Sequence, residues 1–240
     1  MLNNFLFIAF PYVAIVVFAV GCFYVYRSRA FKYSSLSSQF LEGNKLFWGV
    51  VPFHWGLLVV FLGHLIAFLF PSGMLMWNGD PVRLIILEAT GFIFALTILV
   101  GLVCLIARRT TNPRVKMVTS PMDLVIEILL LVQVILGCWI ALGFRWGSSW
   151  FAGVLSPYLW SILKFNPQIE AVTNLSWVIQ LHVFLAFVIL FLVPFTRLVH
   201  LLVAPFHYIS RPYQVVMWNW NPRAIRDPRV SWSQTLPRNN

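Results

Sequence analysis

Charged residues make up only 10% of this 240-residue chain, and acidic ones are the scarcest, 7 Asp and Glu against 17 Lys and Arg. A water-soluble domain carries about a quarter charged residues, so an ordinary hydrated surface is excluded. With 60% hydrophobic residues and a mean hydropathy of +0.83, the composition is that of a polytopic membrane protein. The net charge of +10 does not indicate nucleic acid, because the Lys and Arg residues sit in short clusters between apolar runs and no basic face or binding module accompanies them. Cysteine is equally sparse. Cys22, Cys104 and Cys138 lie within apolar segments with no CxxC spacing, which leaves no disulfide framework, zinc site or iron–sulfur site. The N-terminal run lacks a basic leader and a small-residue cleavage site and is too long for a cleaved signal, so it reads as a membrane span. No internal repeat or low-complexity stretch is evident.

A hydrocarbon core of about 30 Å needs roughly 20 apolar helical residues. Runs of that length occur at 4–26, 46–70, 83–107, 121–143 and 174–204, predicting an all-α integral membrane bundle of five transmembrane helices. The fifth run is long and contains Pro194, which predicts a kink, a tilt or an extension beyond the hydrocarbon. Basic residues cluster after spans one and three (Arg27, Arg29, Lys32, Lys45; Arg108, Arg109, Arg114, Lys116) and in the tail (Arg211, Arg223, Arg226, Arg229, Arg238). The positive-inside rule then places the N-terminus outside and the C-terminus in the cytoplasm. The loop 144–173, with Trp146, Trp150 and Trp160, reads as an interfacial segment on the outer surface. Residues 1–207 form the membrane domain in this reading, and 208–240 form a proline-interrupted cytoplasmic tail lying against partner subunits.

Histidine inside a membrane span must have its ring nitrogens satisfied, so its presence there suggests function. Four of the five histidines are intramembrane and fall on two spans: His54 and His64 on span two, His182 and His200 on span five. Because the two spans run in opposite directions, His54 shares a depth with His200 near the cytoplasmic side, and His64 shares one with His182 near the outer side. Facing imidazoles on neighbouring helices can serve as the two axial ligands of a haem, so one pair per depth implies two b-type haems stacked along the membrane normal. Eighteen residues on span five make five helical turns and keep both rings on one face, whereas ten residues on span two turn them about 80° apart. The rises differ as well, about 27 Å against about 15 Å. Gly56 and Gly63, near the span-two histidines, would let a flat macrocycle approach the backbone. The duller explanation is that each histidine hydrogen-bonds a neighbouring helix, and metal transport is a further one. The scarcity of intramembrane carboxylates argues against transport.

These residues resemble the gamma subunit of respiratory nitrate reductase, a membrane cytochrome b. The resemblance rests on FHWGLLVVFLGH (Phe53 to His64), LHVFLAFVILFLVPFTRLVH (Leu181 to His200), SSQFLEG (Ser37 to Gly43), the RR-x-x-NPRV connection (Arg108 to Val115) and RPYQVV (Arg211 to Val216), and extends to about residue 216. It implies two haem b groups, the inner held by His54 and His200 and the outer by His64 and His182, the same pairing that depth gives. It further implies quinol oxidation at the outer haem, with electrons passing inward to an iron–sulfur beta subunit and a molybdenum-containing alpha subunit, all at the cytoplasmic membrane. The basic residue serving the quinol site there corresponds to Arg83, which equally reads as an interfacial anchor. Gln180 stands where the family pattern leads one to expect Arg, and His207 where it leads one to expect an acidic residue.

Other charges admit two readings. Arg108, Arg109 and Arg114 lie on the inner haem's side, where they could pair with propionates or serve only as topology signals. Asp123 and Glu127 could form a proton path or simply favour a helix N-terminus. The histidine frame specifies electron carriage and leaves the terminal chemistry open between nitrate reduction and a related membrane cytochrome of nitrite oxidation or sulfur metabolism. A transporter or a purely structural anchor is the reading from a different class.

Overall fold

A computed structural model describes residues 1–29, 38, 41 and 44–202. The expectations placed on the tail 208–240, on His207 and on most of the 37–43 motif lie outside the described residues. Among the described residues every regular element is helical. Five helices are long and apolar enough to cross a membrane: Leu2–Ser28, Lys45–Leu69, Pro81–Thr111, Pro121–Gly143 and Trp177–Phe195, here spans one to five.

Local chemistry sets where the spans begin. Asp80 caps span three, its carboxylate accepting from the N–H groups of Val82 (2.9 Å) and Arg83 (3.1 Å), with Pro81 filling the first helical position. These bonds, led by that from the Arg83 N–H, hold the Asp80 carboxyl below its ordinary range. Ser120 and Asp123 form a reciprocal capping box at the start of span four, again with proline first.

Spans two and three approach backbone to backbone. A Cβ on Gly101 would lie 2.6 Å from the Phe53 nitrogen and 2.8 Å from the Gly49 carbonyl, and one on Gly56 would lie 2.5 Å from Thr97 Oγ1. Glycine is what lets two membrane helices pack this closely. The expectation that Gly56 makes room for a macrocycle is therefore corrected. Two residues turn a helix by about 200°, so Gly56 faces away from His54 and into span three. Gly63 does border open space, with nothing within 4 Å of an added Cβ.

The remaining spans continue in an arc: three packs on four, four on five, and five on one. Spans two and five share no extensive contact among the described residues.

The fifth span departs from a single helix. The α-helix stops at Leu192, Val193–Phe195 and Arg197–Leu202 are 3-10 turns, and Thr196 between them is extended. Pro194 has no N–H to donate back along the helix, and its ring crowds the preceding turn. Span one accommodates it at Gly21, where a Cβ would come within 2.8 Å of the Pro194 ring. The five-turn argument for His182 and His200 accordingly fails, since an α-helix does not join them.

The middle of the 144–173 loop packs into the bundle, while Trp146, Leu163 and Phe165 are exposed. Ala152, Leu155, Ser156, Tyr158 and Ile162 are buried. Ser156 Oγ and Trp160 Nε1 donate to the Ala67 and Phe68 carbonyls (3.0 and 2.9 Å), satisfying the C-terminal end of span two. Tyr158 donates to the Phe7 carbonyl in the π-turn Phe5–Ala9 of span one (2.9 Å), and burial, with Tyr12 adding to it, raises its phenol above the ordinary range.

Gly101→Ala should cost about 1–3 kcal/mol by forcing spans two and three apart, whereas Gly91→Ala, which meets nothing within 4 Å, should leave stability unchanged. Thermal unfolding of the detergent-solubilised protein measures both.

Candidate functional site

The histidines that the sequence singled out lie on span two, on span five and on the turn that follows span five. His54 projects from span two and His200 from the 3-10 turn after Pro194, and their ring centroids lie 6.4 Å apart at an interplanar angle of 51°. A metal held axially by two imidazoles, with bonds of about 2 Å and about 1 Å of ring radius on each side, separates the centroids by about 6 Å. The inner pair thus has the spacing of two ligands with one ion between them. Three of the four rings also share one hydrogen-bond pattern. His54 Nδ1 donates to the Val50 carbonyl (2.8 Å), His64 Nδ1 to the Val60 carbonyl (2.8 Å), and His200 Nδ1 to the Arg197 carbonyl. Donation from Nδ1 leaves Nε2 as the lone-pair nitrogen, the arrangement that metal-ligating histidines adopt.

The outer pair is arranged differently. His64 stands edge-on to Phe151, with centroids 5.2 Å apart. The other histidine, His182, projects from span five. Its ring lies against span four, 3.3 Å from Gln133 Nε2 and 3.4 Å from where a Cβ on Gly137 would be, and its Nδ1 is buried with no hydrogen-bond partner. The pattern is the reverse of that in the other three rings, since the Gln133 amide N–H is directed at His182 Nε2 and Nδ1 is the nitrogen left without a partner. Among the described residues no three His, Cys, Asp or Glu gather as a metal centre.

The basic residues have definite partners. Arg109 of span three donates through Nε to Glu127 (2.8 Å) and lies 3.5 Å from Asp123 of span four. Arg108 is buried and reaches Ser38 Oγ (2.9 Å) and the Ser38 carbonyl (3.1 Å), beside a cavity of about 230 Å³ that Lys45 and Trp48 also line. The exposed Arg114 donates its backbone N–H to the Asn112 cap (3.0 Å). Arg83 lies over the Trp77 ring, 5.2 Å from its centroid. Gln180 donates to the Thr173 and Leu175 carbonyls (3.0 and 2.7 Å), tying the preceding loop to span five.

Asp123 and Glu127 are internal ion-pair partners as well as helix-start charges. Arg197 adds a second cation, 2.8 Å from Asp123. Near the other end of span three, Glu88 accepts from the N–H and hydroxyl of Ser148 (2.8 and 2.6 Å), and the Asn78 amide donates to Ser148 and Ser149 (2.9 Å each). Sequence reasoning passed over Glu88, Gln133 and Arg197. The signal for each was an isolated polar residue in an apolar run, which in a membrane protein demands a partner.

Comparison with known proteins agrees with this architecture. The model of the nitrate reductase gamma subunit family matches residues 3–219. This chain belongs to that family. It is 33% identical over 219 residues to the respiratory nitrate reductase 2 gamma chain of Escherichia coli, covering 90% of this chain and 96% of that one. It is 30% identical over 213 residues to the nitrate reductase gamma chain of Bacillus subtilis, covering 85% and 93%. A second Escherichia coli protein, the respiratory nitrate reductase 1 gamma chain, is 29% identical over 219 residues, covering 90% and 97%. The chain is therefore a multi-pass membrane subunit of the nitrate reductase type, an oxidoreductase component.

Glu127→Leu should destabilise the solubilised protein by about 2–3 kcal/mol, because it leaves Arg109 in a partly buried site with only the longer Asp123 and Thr119 contacts. A drop in thermal midpoint larger than that of Glu170→Leu, made outside the spans, is the expected result.

Proposed function

We propose that this gamma-family chain is the quinol-oxidising cytochrome b subunit of a nitrate reductase complex, anchoring the catalytic subunits and carrying electrons through two haem b groups to an iron–sulfur subunit on the cytoplasmic side. The observation that carries the reading is the inner pair. The ring centroids of His54 and His200 lie 6.4 Å apart, and each ring has Nδ1 bonded to a backbone carbonyl, which leaves Nε2 as the lone-pair nitrogen. His54 and His200 would hold the inner haem, and His64 and His182 the outer one. Haem bound there would supply a one-electron carrier.

The chain's own residues then divide the remaining work. Nδ1 bonds to carbonyls of the same segment fix the tautomer and orientation of His54, His64 and His200. Gln133 and Gly137 border His182 and set how its ring can turn. Phe151, edge-on to His64, helps keep water from the outer pair. A quinol oxidised there gives up two electrons and two protons, and the protons leave on the outer side, where the positive-inside distribution puts the start of span three. Arg83, at that start and resting on Trp77, would donate a hydrogen bond to a quinone oxygen.

Haem quantification on four single His→Ala variants tests the reading. Each should lose one of two haems, with His54→Ala matching His200→Ala and His64→Ala matching His182→Ala in the spectral component lost. A wild-type protein without a b-type reduced-minus-oxidised spectrum would refute it. Arg83→Ala should slow quinol oxidation by about tenfold or more, the loss of roughly one charge-assisted hydrogen bond, while both haems remain bound. Loss of haem in that variant would sink the quinol role.

A further inference from the structure

His200 is the one of the four histidines carried by a 3-10 turn, and that turn lies beyond a proline break. A 3-10 segment has poorer hydrogen-bond geometry than an α-helix, so the backbone alone does not hold this ring as firmly as span two holds His54. The compensating contacts come from span four. His200 Nδ1 bonds the Arg197 carbonyl, and the Arg197 side chain is fixed at two points, with Nε 2.8 Å from Asp123 Oδ1 and an N–H donated to the Val118 carbonyl (3.1 Å). Asp123 is itself rigid. It closes the capping box with Ser120, its side chain is 6% exposed, and its second oxygen lies 3.5 Å from Arg109 of span three.

We propose that Asp123 is a positioning residue for His200, acting through Arg197. The carboxylate holds the guanidinium, the guanidinium fixes the turn, and the turn's carbonyl orients the imidazole and keeps its Nδ1 protonated. The proposal rests on the reading of His200 as a haem ligand and adds a second, outer layer to it. A metal-ligating imidazole whose Nδ1–H is well bonded is the more basic ligand, and such a ligand favours the oxidised iron. Loosening the carbonyl should therefore raise the potential of the inner haem.

Potentiometric titration of the b-type absorbance, with low-spin electron paramagnetic resonance spectra, is the test, made on the whole membrane complex carrying Asp123→Asn, Arg197→Met or Arg197→Lys. Both haems should stay bound. One component should rise in potential in Asp123→Asn and in Arg197→Met alike, by a threefold to tenfold change in redox equilibrium, about 30–60 mV for a one-electron couple. Its spectrum should broaden, the other component should not move, and Arg197→Lys should recover part of the shift. Should Asp123→Asn fail to accumulate, Asp123→Glu, which displaces the carboxylate by one methylene, carries the same test.

The sign separates positioning from simple charge. Removing the carboxylate raises a nearby potential through charge alone and removing the guanidinium lowers it, so shifts of opposite sign overturn the proposal. So does an unchanged Asp123→Asn beside a shifted Arg197→Met, or an equal movement of both components. Retention of both haems in His200→Ala would instead overturn the ligand reading itself.

Discussion

Inside hydrocarbon an imidazole nitrogen can bond only to protein or to a bound group, and this constraint organises the molecule. A histidine on a membrane helix can give one nitrogen to a carbonyl of the preceding turn, as His54 and His64 do with Val50 and Val60. The second nitrogen must then face a partner or remain unsatisfied at a cost of several kcal/mol. Spans two and three are drawn together by Gly49, Gly56 and Gly101, and spans four and one take up span five. Spans two and five share no extensive contact among the described residues, while the rings of His54 and His200 lie 6.4 Å apart between centroids.

The charged residues obey the same constraint by a different route. Few carboxylates are available, and Asp123 and Glu127 are used together against two arginines from different spans. One cluster thereby joins span three, span four and the turn bearing His200. Buried ion pairs of this kind add little net stability but strongly penalise rearrangement, because separating the partners leaves a charge unpaired. That suits a site where the positions of rings matter more than the total stability of the fold.

The distortion of span five illustrates how a local rule acquires a distant consequence. Pro194 ends the α-helix, Gly21 provides room for its ring, and the chain continues as 3-10 turns that bring His200 opposite His54. Two straight helices with ten-residue and eighteen-residue spacings could not have matched both pairs. The break decouples the two histidines of span five, so each can meet its counterpart independently.

Much of this was legible in the sequence. Five apolar runs fixed the class and the number of spans, because helix length is dictated by bilayer thickness, and Asp80 and Ser120, each followed by proline, mark the starts of spans three and four through capping chemistry that acts within a few residues. The four histidines pointed to a candidate site, and the opposed directions of their helices matched His54 with His200, whose rings lie 6.4 Å apart. What no local rule reaches is which face of each helix meets which neighbour. That Gly56 turns to span three, that Arg109 and Arg197 share Asp123, that Tyr158 reaches span one and that His182 leans on Gln133 all depend on contacts between residues far apart in the chain. Periodicity gives a helix a face, and only the packing of all five decides what that face touches.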